Sequence, residues 1–382
     1  MDASAMEVEQ QQHSSTFKRF ALKNSIQTNF GDDYIFQITT KEDWSTMAVS
    51  LSSNLVKLYS PETGQYLGEC KGHNSTINEI AFGDSFSDCL LLYSCSSDGT
   101  IRAWDSRTFQ QVSLVNAGPS QEVFSFSFGG ANNLLAGGCK AQVLLWDWRN
   151  KKQVACLEDS HTEDVTQVRF APGTQNKLLS ASVDGLMCIF DTTGDINDDD
   201  HLESVLNVGT SIGKIGFFGH NNQKLWCLSH IETLSIWDWK EENAIADFPE
   251  TRSMASNGWT RDQIDYFIDC HSSSEDDRLW LIGATNAGTI GYFPVNYMDR
   301  TIGSAEAILE GGHVNVVRSV LPKSGFPGRS LSSGIFGWSG GEDGRLCCWL
   351  SDETCDVNRA WISSTLAIKP TKTRKKIRHQ PY

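Results

Sequence analysis

Three sets of residues in this chain have the make-up of a nucleophilic triad: His73, Ser94 and Asp98; His161, Ser180 and Asp184; His313, Ser339 and Asp343. A serine oxygen activated by an imidazole, itself oriented by a carboxylate, is the chemistry of acyl transfer. The spacing argues against it. In every set the serine lies four residues before the aspartate, and an aromatic residue (Trp104, Phe190, Trp349) lies six after it. An enzyme needs one triad with an oxyanion hole beside it, so a threefold recurrence in one register points to a structural job. The run Gly337-Trp338-Ser339-Gly340-Gly341 also matches the G-x-S-x-G nucleophile elbow. That elbow needs a strand, a sharp turn and then a helix. Here Glu342-Asp343-Gly344 and a further strand follow Ser339, which is the wrong context for a serine hydrolase.

Other chemistries have less support. There is no Walker loop, no HExxH and no dinucleotide fingerprint. The 11 cysteines include no CxxC, and the pairs Cys347/Cys348 and Cys89/Cys95 lack the histidine or second cysteine pair of a tetrahedral zinc site. Free buried thiols are the expectation. The run Asp195-Ile196-Asn197-Asp198-Asp199-Asp200 lacks the alternating ligands and final glutamate of a calcium loop and reads as a solvated turn. Ser272 to Ser274, followed by Glu275-Asp276-Asp277, would suit an acidophilic kinase, and polar turn chemistry explains it equally. No catalytic residue, metal or cofactor is expected.

The elements that hold these residues repeat. Short β-branched runs close on an aromatic at Tyr59, Trp104, Trp146, Phe190, Trp237, Phe293 and Trp349, at intervals of 45, 42, 44, 47, 56 and 56 residues. Copies of that length, built of short alternating strands split by Asp-Gly or Asn-Gly-like turns, match a four-stranded blade rather than a helical repeat. The expectation is an all-β chain.

At these residues the chain resembles the WD-repeat β-propellers, over roughly residues 17 to 350. The second copy carries the fullest signature, with Gly72-His73, Ser96-Ser97-Asp98-Gly99 and Trp104-Asp105; the fourth (His161, Asp184-Gly185, Phe190-Asp191) and seventh (Gly312-His313, Asp343-Gly344, Trp349) match less fully. The first, third, fifth and sixth lack the Gly-His and Asp-Gly elements, so seven blades rest on spacing, with six and eight as alternatives. Within the family, HTEDVTQVRFAP at 161–172, GGHVNVVRSV at 311–320 and GGEDGRLCCW at 340–349 resemble the WD repeat-containing protein 89 group, whose plant counterpart is called Gigantus. The resemblance implies a seven-bladed propeller with flexible N- and C-terminal tails. It also implies that the three triad-like sets are buried hydrogen-bond chains running from the tryptophan indole through Asp and His to Ser, shortened in blade four because Phe190 has no N–H to give.

An open ring leaves a strand edge unpaired, and such an edge templates aggregation. The extended segment from Phe17 to Leu22 is therefore expected to supply the outer strand of blade seven. The layout is a tail at 1–16, the propeller at 17–350, and a C-terminal extension at 351–382 with a basic tail at 369–382.

Blades two and three end in Trp104-Asp105-Ser106-Arg107 and Trp146-Asp147-Trp148-Arg149. This W-D-x-R form resembles the box with which substrate receptors of cullin-RING ubiquitin ligases dock on their adaptor, with Asp105, Arg107, Asp147 and Arg149 as the contacts, since arginine forks onto carboxylates and carbonyls where lysine cannot. The plain alternative is an exposed turn residue, as at Lys240 in WDWK. The long connection at 240–264 carries Trp259 and Arg261, types favoured at interface centres, or else Trp259 packs on a blade edge. The tail holds Lys369, Lys372, Arg374, Lys375, Lys376 and Arg378, an import signal, an RNA-contacting arm or an inert end.

The formal net charge is −15, from 32 Lys+Arg against 47 Asp+Glu. Residues 369–382 hold six of the cations and no acid, so the rest carries −21. A body that acidic is a poor match for a phosphate backbone, which confines RNA contact to the tail. With no apolar leader or membrane-length run, the chain is expected in the nucleus or cytoplasm and not secreted. Its partners are expected to be other proteins in a multi-protein complex, with preribosomal or ubiquitin-ligase components as the two readings, and no membrane. The resemblance and the basic tail together favour a nuclear or nucleolar assembly such as ribosome biogenesis, linked to growth control.

Overall fold

A computed structural model describes residues 18–27, 32–83, 90–129, 133–174, 176–194, 196, 201–257, 259, 263–272, 277–323 and 335–350. Its strands form seven antiparallel blades in a ring. The first strand, β1 (Lys18–Gln27), belongs to the last blade. Blade one is β2 (Ile35–Thr40), β3 (Met47–Leu51), β4 (Leu55–Tyr59) and β5 (Tyr66–Lys71). Blade two is β6 (Ile77–Phe82), β7 (Leu91–Ser96), β8 (Thr100–Asp105) and β9 (Gln111–Asn116). Blade three is β10 (Ser125–Gly129), β11 (Leu134–Cys139), β12 (Gln142–Asp147) and β13 (Lys152–Leu157). Blade four is β14 (Val165–Phe170), β15 (Lys177–Ser182), β16 (Leu186–Asp191) and β17 (Leu202–Asn207). Blade five is β18 (Ile212–Phe218), β19 (Lys224–Ser229), β20 (Leu234–Asp238) and β21 (Asn243–Phe248). Blade six is β22 (Tyr266–Ser272), β23 (Leu279–Ala284), β24 (Ile290–Asn296) and β26 (Ala307–Leu309), with the two-residue β25 (Thr301–Ile302) beside β24. Blade seven is β27 (Val317–Pro322), β28 (Ile335–Gly341) and β29 (Arg345–Leu350), completed by β1.

Burial follows position in the blade. The two middle strands are covered on both faces, so β15 (KLLSAS) and β16 (LMCIFD) are almost wholly buried and built of apolar or small residues over most of their length. Outer strands such as β9 (QVSLVN) are less buried, with a single buried residue, Val115. The core is a series of clusters between neighbouring blades. One of them joins Tyr93, Ile101 and Val115 of blade two to Phe126, Leu135 and Trp146 of blade three.

The closing strand differs from the expected Phe17–Leu22. It is Ala21 to Gln27 that run antiparallel to β29, from Ala21 opposite Leu350 to Gln27 opposite Arg345, with a shift of register between Leu22 and Asn24. Lys18 to Phe20 instead run parallel to Ala307–Leu309 of blade six. β1 thus joins blades six and seven into one continuous sheet. Phe17 lies outside the described residues.

The connection after blade five also differs. Residues 243–248, expected to lie in a long insertion, are the outer strand β21. The connection proper holds a short helix, α1 (Thr251–Asn257), and then Trp259.

A ring of hydrogen bonds ties each inner strand to the next blade. Ile38 N–H donates to Ser319 Oγ (3.0 Å), Ile80 N–H to Gln37 Oε1 (2.7 Å), Phe126 N–H to Glu79 Oε2 (3.1 Å) and Val168 N–H to Ser125 Oγ (2.6 Å). Thr166 Oγ1 donates to the Ile212 carbonyl (2.9 Å), Lys214 Nζ to the Ile268 carbonyl (2.7 Å) and Val317 N–H to the Tyr266 hydroxyl (2.6 Å). All seven blade junctions are bridged in this way. The inner strands need such partners because each has one edge turned to the channel with no strand beside it.

Candidate functional site

The three triad-like sets are assembled inside their blades. In blade two the Trp104 indole N–H donates to Ser94 Oγ (2.9 Å), Ser94 lies 2.7 Å from His73 Nε2, and His73 Nδ1 lies 2.9 Å from Asp98. Blade seven repeats it: Trp349 to Ser339 (2.7 Å), Ser339 to His313 Nε2 (2.7 Å), His313 Nδ1 to Asp343 (3.1 Å). The order is therefore Trp, Ser, His, Asp, not the expected Trp, Asp, His, Ser. The reason is register. The serine sits on the second strand beside the tryptophan-bearing third strand, whereas the aspartate occupies the turn at their far end. In blade four His161 bridges Ser180 (2.6 Å) and Asp184 (3.0 Å), and Phe190 offers no indole.

The imidazole contacts have the geometry of a hydrolase triad, with Nε2 on serine and Nδ1 on carboxylate. Access is what differs. Ser94, Ser180 and Ser339 are fully buried, and in two of the three sets an indole N–H occupies the serine oxygen. Burial lowers the His73 and His161 pKa despite their aspartates. Burial opposes the ionised Asp98, yet the Thr100 hydroxyl, the Asn74 N–H and His73 hold its carboxyl at about 2. A neutral imidazole then donates from Nδ1 to the carboxylate and accepts the serine hydroxyl at Nε2, so that every donor has a partner.

The aspartates that follow the closing aromatics have a turn role. Asp105 Oδ1 accepts the N–H of Arg107 (2.8 Å), Asp147 Oδ1 that of Arg149 (2.9 Å), Asp191 Oδ1 that of Thr193 (2.9 Å) and Asp238 Oδ1 that of Lys240 (3.0 Å). Each shapes the turn into the outer strand. The two W-D-x-R boxes differ beyond that point. Arg107 folds back on Asp105, Nη2 to Oδ2 at 2.9 Å. The Arg149 side chain is exposed and has no ion-pair partner among the described residues.

Trp259 is buried, 7% exposed, with its ring 5.5 Å from that of Phe293. A Cβ on Gly291 would come within 2.3 Å of the Trp259 ring, so the glycine makes room for it. It packs on blade six instead of facing solvent. Arg261, the cations Lys369, Lys372, Arg374, Lys375, Lys376 and Arg378, and most of the acidic run at 195–200 lie outside the described residues.

One feature has no counterpart in the sequence-based expectations. A cavity of about 750 Å³ opens where the channel meets the face opposite the His and Asp turns. Phe82, Phe128, Phe170 and Phe217 line it, with Glu79 and Arg169 among them. Two of these walls are braced by the residue after a W-D pair: Trp148 packs edge-on against Phe128 (5.5 Å) and Trp239 against Phe217 (5.8 Å). The repeated W-D-W at 146–148 and 237–239 was the available signal. Among the described residues there is no metal-ligand cluster, and no helix is long and apolar enough to cross a membrane.

Comparison with known proteins gives a consistent answer. The chain is 63% identical to the WD repeat-containing protein GTS1 of Arabidopsis thaliana, over 100% of this chain and 99% of that protein. It is 36% identical to the WD repeat-containing protein 89 homolog of Dictyostelium discoideum, over 77% of this chain and 79% of that one. A human DDB1- and CUL4-associated factor 10 is 24% identical over 41% of this chain and 28% of its own length. Residues 28–203 match the family described as Nucleolar protein 10-like, N-terminal domain. A propeller built on Trp–Ser–His–Asp chains and a full-length likeness of this strength place the chain in the WD-repeat family, in the group that holds GTS1 and the protein 89 homolog.

Proposed function

We propose that this protein is a non-enzymatic interaction scaffold in a nuclear or nucleolar assembly of the kind that builds ribosomes, and through it acts on growth. The observation that carries the non-enzymatic reading is the burial of all three serines, two of them bonded to an indole N–H. No substrate carbonyl reaches such an oxygen. The ring itself is rigid, with every blade junction bridged by hydrogen bonds, which suits loops and rims to recognition. The nucleolar reading draws on the likeness of residues 28–203 to a nucleolar protein 10 domain and on the basic run at 369–382. That run serves as an import signal or as an arm on RNA. Affinity capture and imaging of the full chain against a chain lacking 369–382 test this. Preribosomal proteins should co-purify with the full chain, and nuclear location should fail without the tail. A full chain with no such partners removes the assembly role, and a tail-less chain that keeps both removes the role of the tail.

One observation favours a second reading, a substrate receptor of a cullin-RING ligase: the exposed Arg149 of a W-D-x-R box, with no ion-pair partner among the described residues, beside a partial likeness to a DDB1- and CUL4-associated factor. Capture of the adaptor by wild type, lost in Arg107→Ala with Arg149→Ala, supports it; no adaptor with wild type ends it.

A further inference from the structure

The floor of the central cavity is an ion pair formed across a blade. Arg169 of blade four reaches past blade three to Glu79 of blade two, Nη2 to Oε1 at 2.7 Å and Nη1 to Oε2 at 3.2 Å. The same guanidinium donates to the carbonyls of Val168 (2.9 Å) and Phe126 (3.3 Å), and Glu79 also takes the Phe126 N–H (3.1 Å). The two side chains are 27% and 12% exposed. Arg169 therefore presents Nε, and one hydrogen of Nη2, with no partner among the described residues.

We propose that this cavity is a peptide-binding site that takes an uncharged apolar side chain, leucine- to tryptophan-sized, on an extended segment of a partner protein, whose carbonyl oxygen accepts from Arg169. Three features select that ligand. The volume of about 750 Å³ falls in the range of small-ligand sites and has room for an anchor side chain together with the backbone that carries it. Phenylalanine rings stand in the walls among Gln37, Thr39 and Ser127, and two of the rings are held in place by Trp148 and Trp239. The floor is polar but carries no net charge, because Glu79 neutralises Arg169. A carboxylate or ammonium that reaches the floor would lose its water and find, in the Glu79–Arg169 pair, no net counter-charge, which is costly. An apolar side chain loses little, and a neutral carbonyl satisfies the spare arginine donors. The proposal rests on the scaffold reading and assigns it a face and a ligand class.

The test is selection of short randomised peptides, displayed on phage, against the full chain, followed by titration of the enriched peptides made synthetically. The expected peptides share an uncharged apolar anchor. Phe217→Ser should weaken them by at least about tenfold, and hydrogen exchange should slow in β10 and β18 when peptide is added. Glu79→Gln leaves a cationic floor and should shift selection toward Asp- and Glu-containing peptides. Arg169→Gln should shift it toward Lys and Arg. If either charge variant fails to fold, the Phe217→Ser titration and the exchange map carry the test alone. Peptides with charged anchors, equal affinity for Phe217→Ser, protection confined to the rim or to the His face, displacement by single-stranded RNA, or no enrichment at all would each overturn the proposal. Partners still captured by Phe217→Ser in that event leave the scaffold standing and remove only the cavity.

Discussion

The backbone N–H of Ile80 in blade two donates to the Gln37 side chain of blade one at 2.7 Å, and one blade on, Phe126 makes the same bond to Glu79. The acceptor sits at the same register of the inner strand in both blades, just after a local shift in pairing. A side chain of blade n thus satisfies the channel edge of blade n+1.

Gln37→Ala should strip the Ile80 N–H of its partner and cost about 1–3 kcal/mol in chemical denaturation. Gln37→Glu keeps an acceptor there, as Glu79 does, and should recover most of that loss. Equal destabilisation by both would show that the bond contributes nothing.

Trp104→Phe gives blade two the truncated chain that blade four has at Phe190. The ring remains and the indole bond to Ser94 is lost, so the cost should be about 1–2 kcal/mol. In Ser339→Ala both the Trp349 indole and His313 lose a partner, and the fall in stability should be larger than for Trp104→Phe. Thermal melts of the two variants decide it.

Acid should weaken the fold before the Asp98 carboxylate titrates. His73 and His161 have pKa values below the ordinary histidine value of 6.5, through burial, so the folded state binds their protons less readily than the unfolded chain does. The unfolded chain takes up those protons first. Stability is then full above about pH 6.5 and declines as pH falls from there toward the lower folded values. Asp98, at about 2, keeps its contribution until roughly pH 4, where the unfolded carboxylate begins to bind protons. Melting temperature followed from pH 7.5 to 5 should fall in wild type, and its slope should flatten in His73→Asn with His161→Asn. A slope unchanged in the double variant would assign the effect elsewhere.

Removal of residues 1–27 takes away β1 and leaves one edge of β29 and one edge of β26 unpaired, while β28 and β24 still hold their other edges. The melting temperature should drop by at least about 5 °C, and the truncated protein should associate through the exposed edge. A monomer with an unchanged melt would show that the ring does not depend on β1.

The blades were legible because their middle strands are buried on both faces. Runs such as LMCIFD stay apolar up to an aromatic and then an aspartate, whatever the neighbouring blade does. The triad-like sets were legible for a related reason: their members recur in register. The order within them was not, since it depends on which strand faces which. The ring of cross-blade bonds and the Glu79–Arg169 pair depend on inner-strand register across separate blades, and nothing local in NEIAF or TQVRF announces a partner 90 positions away. Trp148 and Trp239 were visible as letters, but an aromatic after W-D reads equally as a surface residue. Trp259 looked like an interface residue because its type is favoured there, while the glycine that accommodates it, Gly291, lies about thirty residues on, in β24 of blade six.

The straddling position of β1 has a consequence for synthesis. The strands on both its sides, ending at Leu309 and Leu350, are made roughly 300 residues after it, about 15–60 s at ordinary elongation rates. For that whole interval it has nothing to pair with inside its own chain. Five blades can settle one after another as they emerge, while β1 waits as an unpaired strand, so the nascent chain is most exposed to a holding chaperone, or to a wrong partner, at β1.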